Sequence, residues 1–160
     1  MKLRTVFFAV VLPLFSLTAN AAGLAADMVS IDNPYARAVP EGQPNSAAFM
    51  TLRNTGSRDV AIVEARSDIA HAVELHTHRK EGGMMRMRRI MQIDIKAGTE
   101  TVLQPGGLHI MFIGLKQGLP AGSTLALELV FADGSSQKLE VPVKAVAGMM
   151  HRKEKQMPRH

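Results

Sequence analysis

Cysteine occurs nowhere in the 160 residues. That absence excludes a disulfide framework, a zinc–thiolate cluster and a blue-copper centre, which needs a thiolate ligand. Tryptophan is missing too, and Tyr35 is the single tyrosine. A basic face interleaved with stacking aromatics, the footprint of a nucleic-acid binder, is therefore not expected. The body of the chain also lacks a charge excess. The formal +5 comes from the two ends: Lys2 and Arg4 at the start, and Arg152, Lys153, Lys155 and Arg159 against Glu154 near the finish. Residues 22–148 carry 13 basic and 13 acidic side chains. Long apolar runs are missing as well. Thr5 to Leu17 is interrupted by Pro13 and falls short of the roughly 20 residues that cross a bilayer. No G-x-S-x-G, P-loop or catalytic carboxylate pair appears.

What is there begins with a sorting signal. Lys2 and Arg4 form its basic start, Thr5 to Leu17 its apolar centre, and Ala19-Asn20-Ala21 a small-residue cleavage site. Residues 1–21 are thus read as a signal peptide. With no twin arginine and no cysteine to lipidate, the mature protein is expected to be exported, soluble and not inserted in a membrane. The remainder suffices for one domain with a sizeable core, assigned to residues 22–146, followed by a tail over 147–160.

Within the domain the pattern is one of short strands. Val29-Ser30-Ile31, Ala36-Arg37-Ala38, Ser46 to Arg53, Val60 to Ala65, 71–78, 84–91, Thr99 to Leu103, 107–114, Ser123 to Phe131 and Gln137 to Val143 are the candidates. Turn signals such as Asn54-Thr55-Gly56 and Ala132-Asp133-Gly134 separate them. Strands spaced about 8–12 residues apart predict an all-β sandwich or barrel. Asp68 to Val73 alone gives a weak helical pattern.

One stretch carries chemistry. His76, Met87, His109 and Met111 place two imidazoles and two thioethers within thirty-six residues. Thioethers favour Cu(I), whereas zinc rarely takes them. Arg79-Lys80-Glu81-Gly82-Gly83 reads as the turn of a hairpin. A turn centred on Glu81-Gly82 sets Met87 opposite His76, with Cβ atoms roughly 4.5–5.5 Å apart; a turn one residue later shifts that pairing. His109 and Met111 are two apart, hence on one face of a strand. His78 and Met85 share these faces and are alternative or supporting ligands. Met84 and Met91 read as ordinary residues, Met50 as core and His71 as incidental.

The spacing His76-x10-Met87-x21-His109-x-Met111 resembles that of the PCuAC copper chaperones. So do Glu74-Leu75-His76, Gly83 to Arg88, Leu103 to Met111, Ala47 to Leu52 and Gly114-Leu115-Lys116. The resemblance covers residues 29–145. It implies a cupredoxin-like, immunoglobulin-like Greek-key β-sandwich. It also implies a non-enzymatic, monomeric periplasmic chaperone that carries Cu(I). The implied acceptor is the binuclear copper centre of cytochrome c oxidase, in subunit II or through its assembly factors.

Two other readings remain open. His76-Thr77-His78 with Glu81, and Pro105-Gly106-Gly107-Leu108-His109, faintly resemble the histidine motifs of cupin enzymes, although their spacings differ. The three histidines His76, His78 and His109 would suit a zinc ion with one open position. An exported structural sandwich would explain the strands but none of the ligand spacing. Finally, the tail holds Met149, Met150, His151, Met157 and His160, the makings of a looser second copper site. Its imidazoles would favour Cu(II).

Overall fold

The computed structural model describes residues 23–145; residues 1–22 and 146–160, with the sorting signal and the Met/His tail, lie outside the described residues. Among the described residues no helix is long and apolar enough to cross a membrane. One helical turn, α1 (Ala25–Met28), precedes ten strands. These are β1 (Val29–Arg37), β2 (Asn45–Asn54), β3 (Val60–Arg66), β4 (Ala70–Glu81), β5 (Met84–Arg89), β6 (Ile93–Ile95), β7 (Glu100–Leu103), β8 (His109–Leu115), β9 (Thr124–Phe131) and β10 (Ser136–Lys144).

The strands form the expected β-sandwich. One layer runs β5-β4-β8-β2-β1, the other β10-β9-β3-β6, and β7 pairs with β2. A short parallel pairing, Ala36 with Val143 and Arg37 with Lys144, joins the layers along one side. Consecutive strands β2 and β3, and again β3 and β4, belong to different layers, the crossovers of a Greek-key sandwich. β9 shows why this sequence settles here: Leu125, Leu127, Leu129 and Phe131 are all buried, while Ala126 between them is exposed and Glu128 and Val130 are half-buried. Strand alternation sends those four inward, where they meet Leu52, Ile62, Ile110 and Phe112 from the other strands in one core.

Three expectations differ. Residues 29–38 do not form two strands but one, β1, with a register shift between Asp32 and Tyr35. Asn33 sits there at φ +51° ahead of Pro34, which has no N–H for the ladder; the irregularity accommodates both. Asp68 to Val73 is not helical: a tight turn ends at Ile69 and β4 begins at Ala70. β6 was not anticipated, because three residues are too few for an alternation to show.

Asn54 ends β2 and is 1% exposed. Its Nδ2 donates to the carbonyls of Arg58 (2.8 Å) and Ile95 (3.1 Å), and its Oδ1 accepts from the Gly56 N–H (2.9 Å). Asn54→Ala strands all three partners. The expected cost is about 1–3 kcal/mol, read as a lower urea midpoint with an unchanged slope.

Candidate metal centre

The hairpin's turn decides which ligands face each other. Gly82 and Gly83 have φ +57° and +84°, the two left-handed values that a type I′ turn demands. A centre at Glu81-Gly82 would force Glu81 into that region against its Cβ. The strands therefore pair His78 with Met87, His76 with Arg89 and Lys80 with Met85. This corrects the expected register, in which Met87 faced His76. The slip is two residues in the partner strand, so Met87 keeps its face and moves one rung toward the tip.

The same face continues across the layer. His109 lies opposite His76 and Met111 opposite Glu74; Ala47 faces Met111, and Phe49 faces Tyr35. The alternate residues Leu75, Ile110 and Ala48 belong to the core. In β2, β4 and β8 one parity thus builds the interior and the other faces the candidate donors, while β5, exposed throughout, adds Met87 on that same side.

His109 is held most firmly. Gln104 to Gly107 is a tight turn closed by Gly107 N–H donating to the Gln104 carbonyl (3.0 Å). Pro105 and Gly106, the latter at φ +79°, suit the two central positions of a type II turn. The turn presents the Gly107 carbonyl, which accepts from His109 Nδ1 (3.1 Å) and from the His78 backbone N–H (3.3 Å). A carbonyl can only accept, so Nδ1 carries the proton and Nε2 keeps its lone pair for a metal. His76 is oriented in the mirror sense. Its Nε2 donates to the Glu74 carboxylate (2.8 Å), whose other oxygen is 3.5 Å from Arg89. His76 Nδ1 and His78 Nδ1 are buried without a partner, as lone pairs awaiting a ligand would be. The His109 ring centroid lies 5.7 Å from that of His76 and 5.2 Å from that of His78.

His78, Met87, His109 and Met111 line one cleft with Arg37, Phe49, Gln43, Asn45 and the Pro105-Gly106 turn. His76 flanks this group rather than lining the cleft. Met87 is 41% exposed on an edge strand, whereas His109 is 2% exposed. Met84, Met85 and Met91 are exposed, Met50 is core, and His71 is exposed. Met149, Met150, His151, Met157 and His160 lie outside the described residues. Among the described residues no three His, Cys, Asp or Glu side chains converge on a common metal position. The three-histidine zinc arrangement is therefore not assembled, and a complete donor set here needs the thioethers. That chemistry fits a soft monovalent ion. The pairing of His78 with Met87 has its signal in the sequence, the Gly-Gly preference of type I′ turns. Nothing in the sequence marked Arg37.

Comparison with known proteins adds the following. The model of the family described as "Putative lipoprotein LpqE-like" matches residues 29–143. The "Putative lipoprotein Lxx21020" of Leifsonia xyli subsp. xyli is 38% identical over 132 residues, 82% of this chain and 78% of that protein. The Cu(I)-bound solution structure of DR1885 from Deinococcus radiodurans is 30% identical, with TM-score 0.55, covering 81% of this chain and 85% of its own. The copper-bound PCuAC domain of PmoF2 shares the fold, with TM-score 0.65 over 77% of this chain and 97% of that domain, at 21% identity.

Burial holds the His109 imidazole below its ordinary pKa, and the nearby charges of His78, His76 and Arg37 push the same way; the Gly107 hydrogen bond opposes them. In the metal-free protein, His109 is expected to titrate below about 6.5. Below that pH the unfolded chain takes up a proton that the folded chain refuses, so stability falls until the folded pKa is passed. Imidazole resonances followed through a pH titration, with urea unfolding at each pH, check both statements. A midpoint at or above the ordinary value would contradict the burial argument.

Proposed function

We propose that this chain, which belongs to the LpqE-like family, is a periplasmic carrier of Cu(I) rather than an enzyme. The observation that carries the reading is the convergence of Met87, Met111 and His109 with His78 on one cleft beside His76. Its supports are the chemistry of that donor set and the likeness to DR1885, a protein whose structure holds Cu(I). The proposed donors are His76, Met87, His109 and Met111, with His78 as the alternate imidazole that exchanges with His76.

The geometry suits carriage. All four donors are neutral, so no thiolate binds the ion too firmly to yield it and none can be lost to disulfide exchange. His109 and His76 are pre-oriented by Gly107 and Glu74, which keeps the buried part of the site ready for the ion. Met87 sits at the exposed rim, where a partner's donor can displace it while the buried imidazole still holds the ion. The proposed acceptor is a copper-site protein, cytochrome c oxidase subunit II or one of its assembly factors. The tail residues Met149, Met150, His151, Met157 and His160 are proposed as a looser collector of Cu(II). A short tether raises local concentration to roughly millimolar where the span can be reached. The tail's own test is its removal: deleting residues 149–160 is expected to lower the Cu(II) stoichiometry and slow Cu(I) loading at His76 and His109, and no change in either would leave it without that role.

Cu(I) titration against a competing chelator tests the main site. Met87→Ala with Met111→Ala is expected to weaken Cu(I) binding by far more than ~10-fold, and His109→Ala by at least ~10-fold, about 1.4 kcal/mol each decade. Undiminished affinity in the double variant would sink the assignment. His76→Ala and His78→Ala, titrated side by side, show which imidazole completes the set: the larger loss of Cu(I) affinity marks the ligand. The metal-free and loaded forms are expected to unfold with the same cooperativity, because the core is apolar and complete without the ion. Non-cooperative unfolding of the metal-free form would indicate a structural metal instead.

A further inference from the structure

The cleft is too large for its cargo. At about 480 Å³ it greatly exceeds the ~30 Å³ share of one water molecule, and it lies in the size range of small-molecule sites. Beside the candidate donors His78, Met87, His109 and Met111, the cleft is lined by Arg37, Gln43 and Asn45. Arg37 closes β1 with its guanidinium carbon 6.0 Å from the Phe49 ring centroid. Its Nε is buried and has no hydrogen-bond partner. Among the described residues no carboxylate lines the cleft, and no acidic group lies within ion-pair distance of Arg37. Lys144, its register partner across the β1–β10 pairing, adds a second cation nearby. A half-buried guanidinium without a counter-ion is costly, and a monovalent copper ion arriving on neutral donors adds positive charge beside it.

We propose that Arg37 makes this cleft an anion subsite for a carboxylate, which binds beside the candidate donors and neutralises the charge there. The planar fork of arginine matches a carboxylate through two parallel hydrogen bonds. Gln43 and Asn45, which line the same cleft, supply further amide donors. The carboxylate comes either from a small organic acid or from an acidic side chain of a docking protein. In both cases it stabilises the loaded site while present. The consequence for copper rests on the Cu(I) reading; the anion subsite itself does not.

The test uses metal-free protein titrated with sodium acetate, followed by amide and Arg37 Nε–H resonances. Saturable shifts centred on Arg37, Gln43 and Asn45 are expected, with a dissociation constant on the order of 1 mM. Arg37→Gln is expected to weaken binding at least ~10-fold, and Arg37→Lys, which keeps the charge but not the fork, by less. Unfolding curves confirm that both variants remain folded. Shifts that do not saturate, or that persist unchanged in Arg37→Gln, would overturn the subsite. Inorganic phosphate binding as well as acetate would overturn its assignment to carboxylates. A short peptide with a central aspartate separates the sources: tighter binding than acetate identifies a protein side chain, equal binding a small acid. In a second arm, acetate is expected to raise Cu(I) affinity in the wild type but not in Arg37→Gln. If Cu(I) does not bind at all, the carrier reading fails while the acetate result still stands or falls on its own.

Discussion

The strands β4 and β8 can slide only in steps of two. Their core residues occupy one parity and the candidate donors the other, so a slip of one would turn Leu75 and Ile110 out of the core and His76 and His109 toward it. The hydrophobic effect acting on the inner face thus orders the other one. His109 shows the coupling most directly, since it lies between Leu108 and Ile110 on a strand whose Ile110 and Phe112 are fully buried. The candidate donors are carried on a scaffold whose apolar core is closed independently of them.

On that outer face the electrostatics are lopsided. Toward the hairpin, Arg89, Glu74 and His76 form a relay in which the carboxylate is shared between a guanidinium and an imidazole. Toward β1, Arg37 stands with no carboxylate partner among the described residues. The cleft between them has a compensated side and an uncompensated one. Arg37 on the uncompensated side helps burial to keep the His109 imidazole neutral.

Much of the sandwich was legible in the sequence. The clean alternation of Thr124 to Phe131 and the hydrophobic pattern of Ser46 to Arg53 identify strands because each has one buried face. The Asn33-Pro34 irregularity hid the continuity of β1, since a proline ordinarily argues for a strand's end. Ile93 to Ile95 was too short to read. At the site, residue type and spacing pointed to His76, Met87, His109 and Met111 together, and parity placed them on one face. The hairpin register is less plain, because Glu81-Gly82 and Gly82-Gly83 both carry turn composition and only the second pair tolerates φ > 0 at both positions. Arg37 was invisible for another reason. Its neighbourhood is made by Gln43, Phe49, Pro105 and His109, which come together only through long-range pairing.

Among the described residues β5 is the outer edge of its layer, with all six of its residues exposed and no strand on its far side. Such an edge offers unpaired amides and carbonyls to any similar strand, and it is a standing hazard for aggregation. Here Arg86, Arg88 and Arg89 lie along it. Two copies aligning antiparallel about Met87 would bring Arg86 of one against Arg88 of the other, and like charges face to face disfavour the pairing. Met84, Met85 and Met87 therefore sit on a strand whose intervening guanidinium groups disfavour pairing with its own kind.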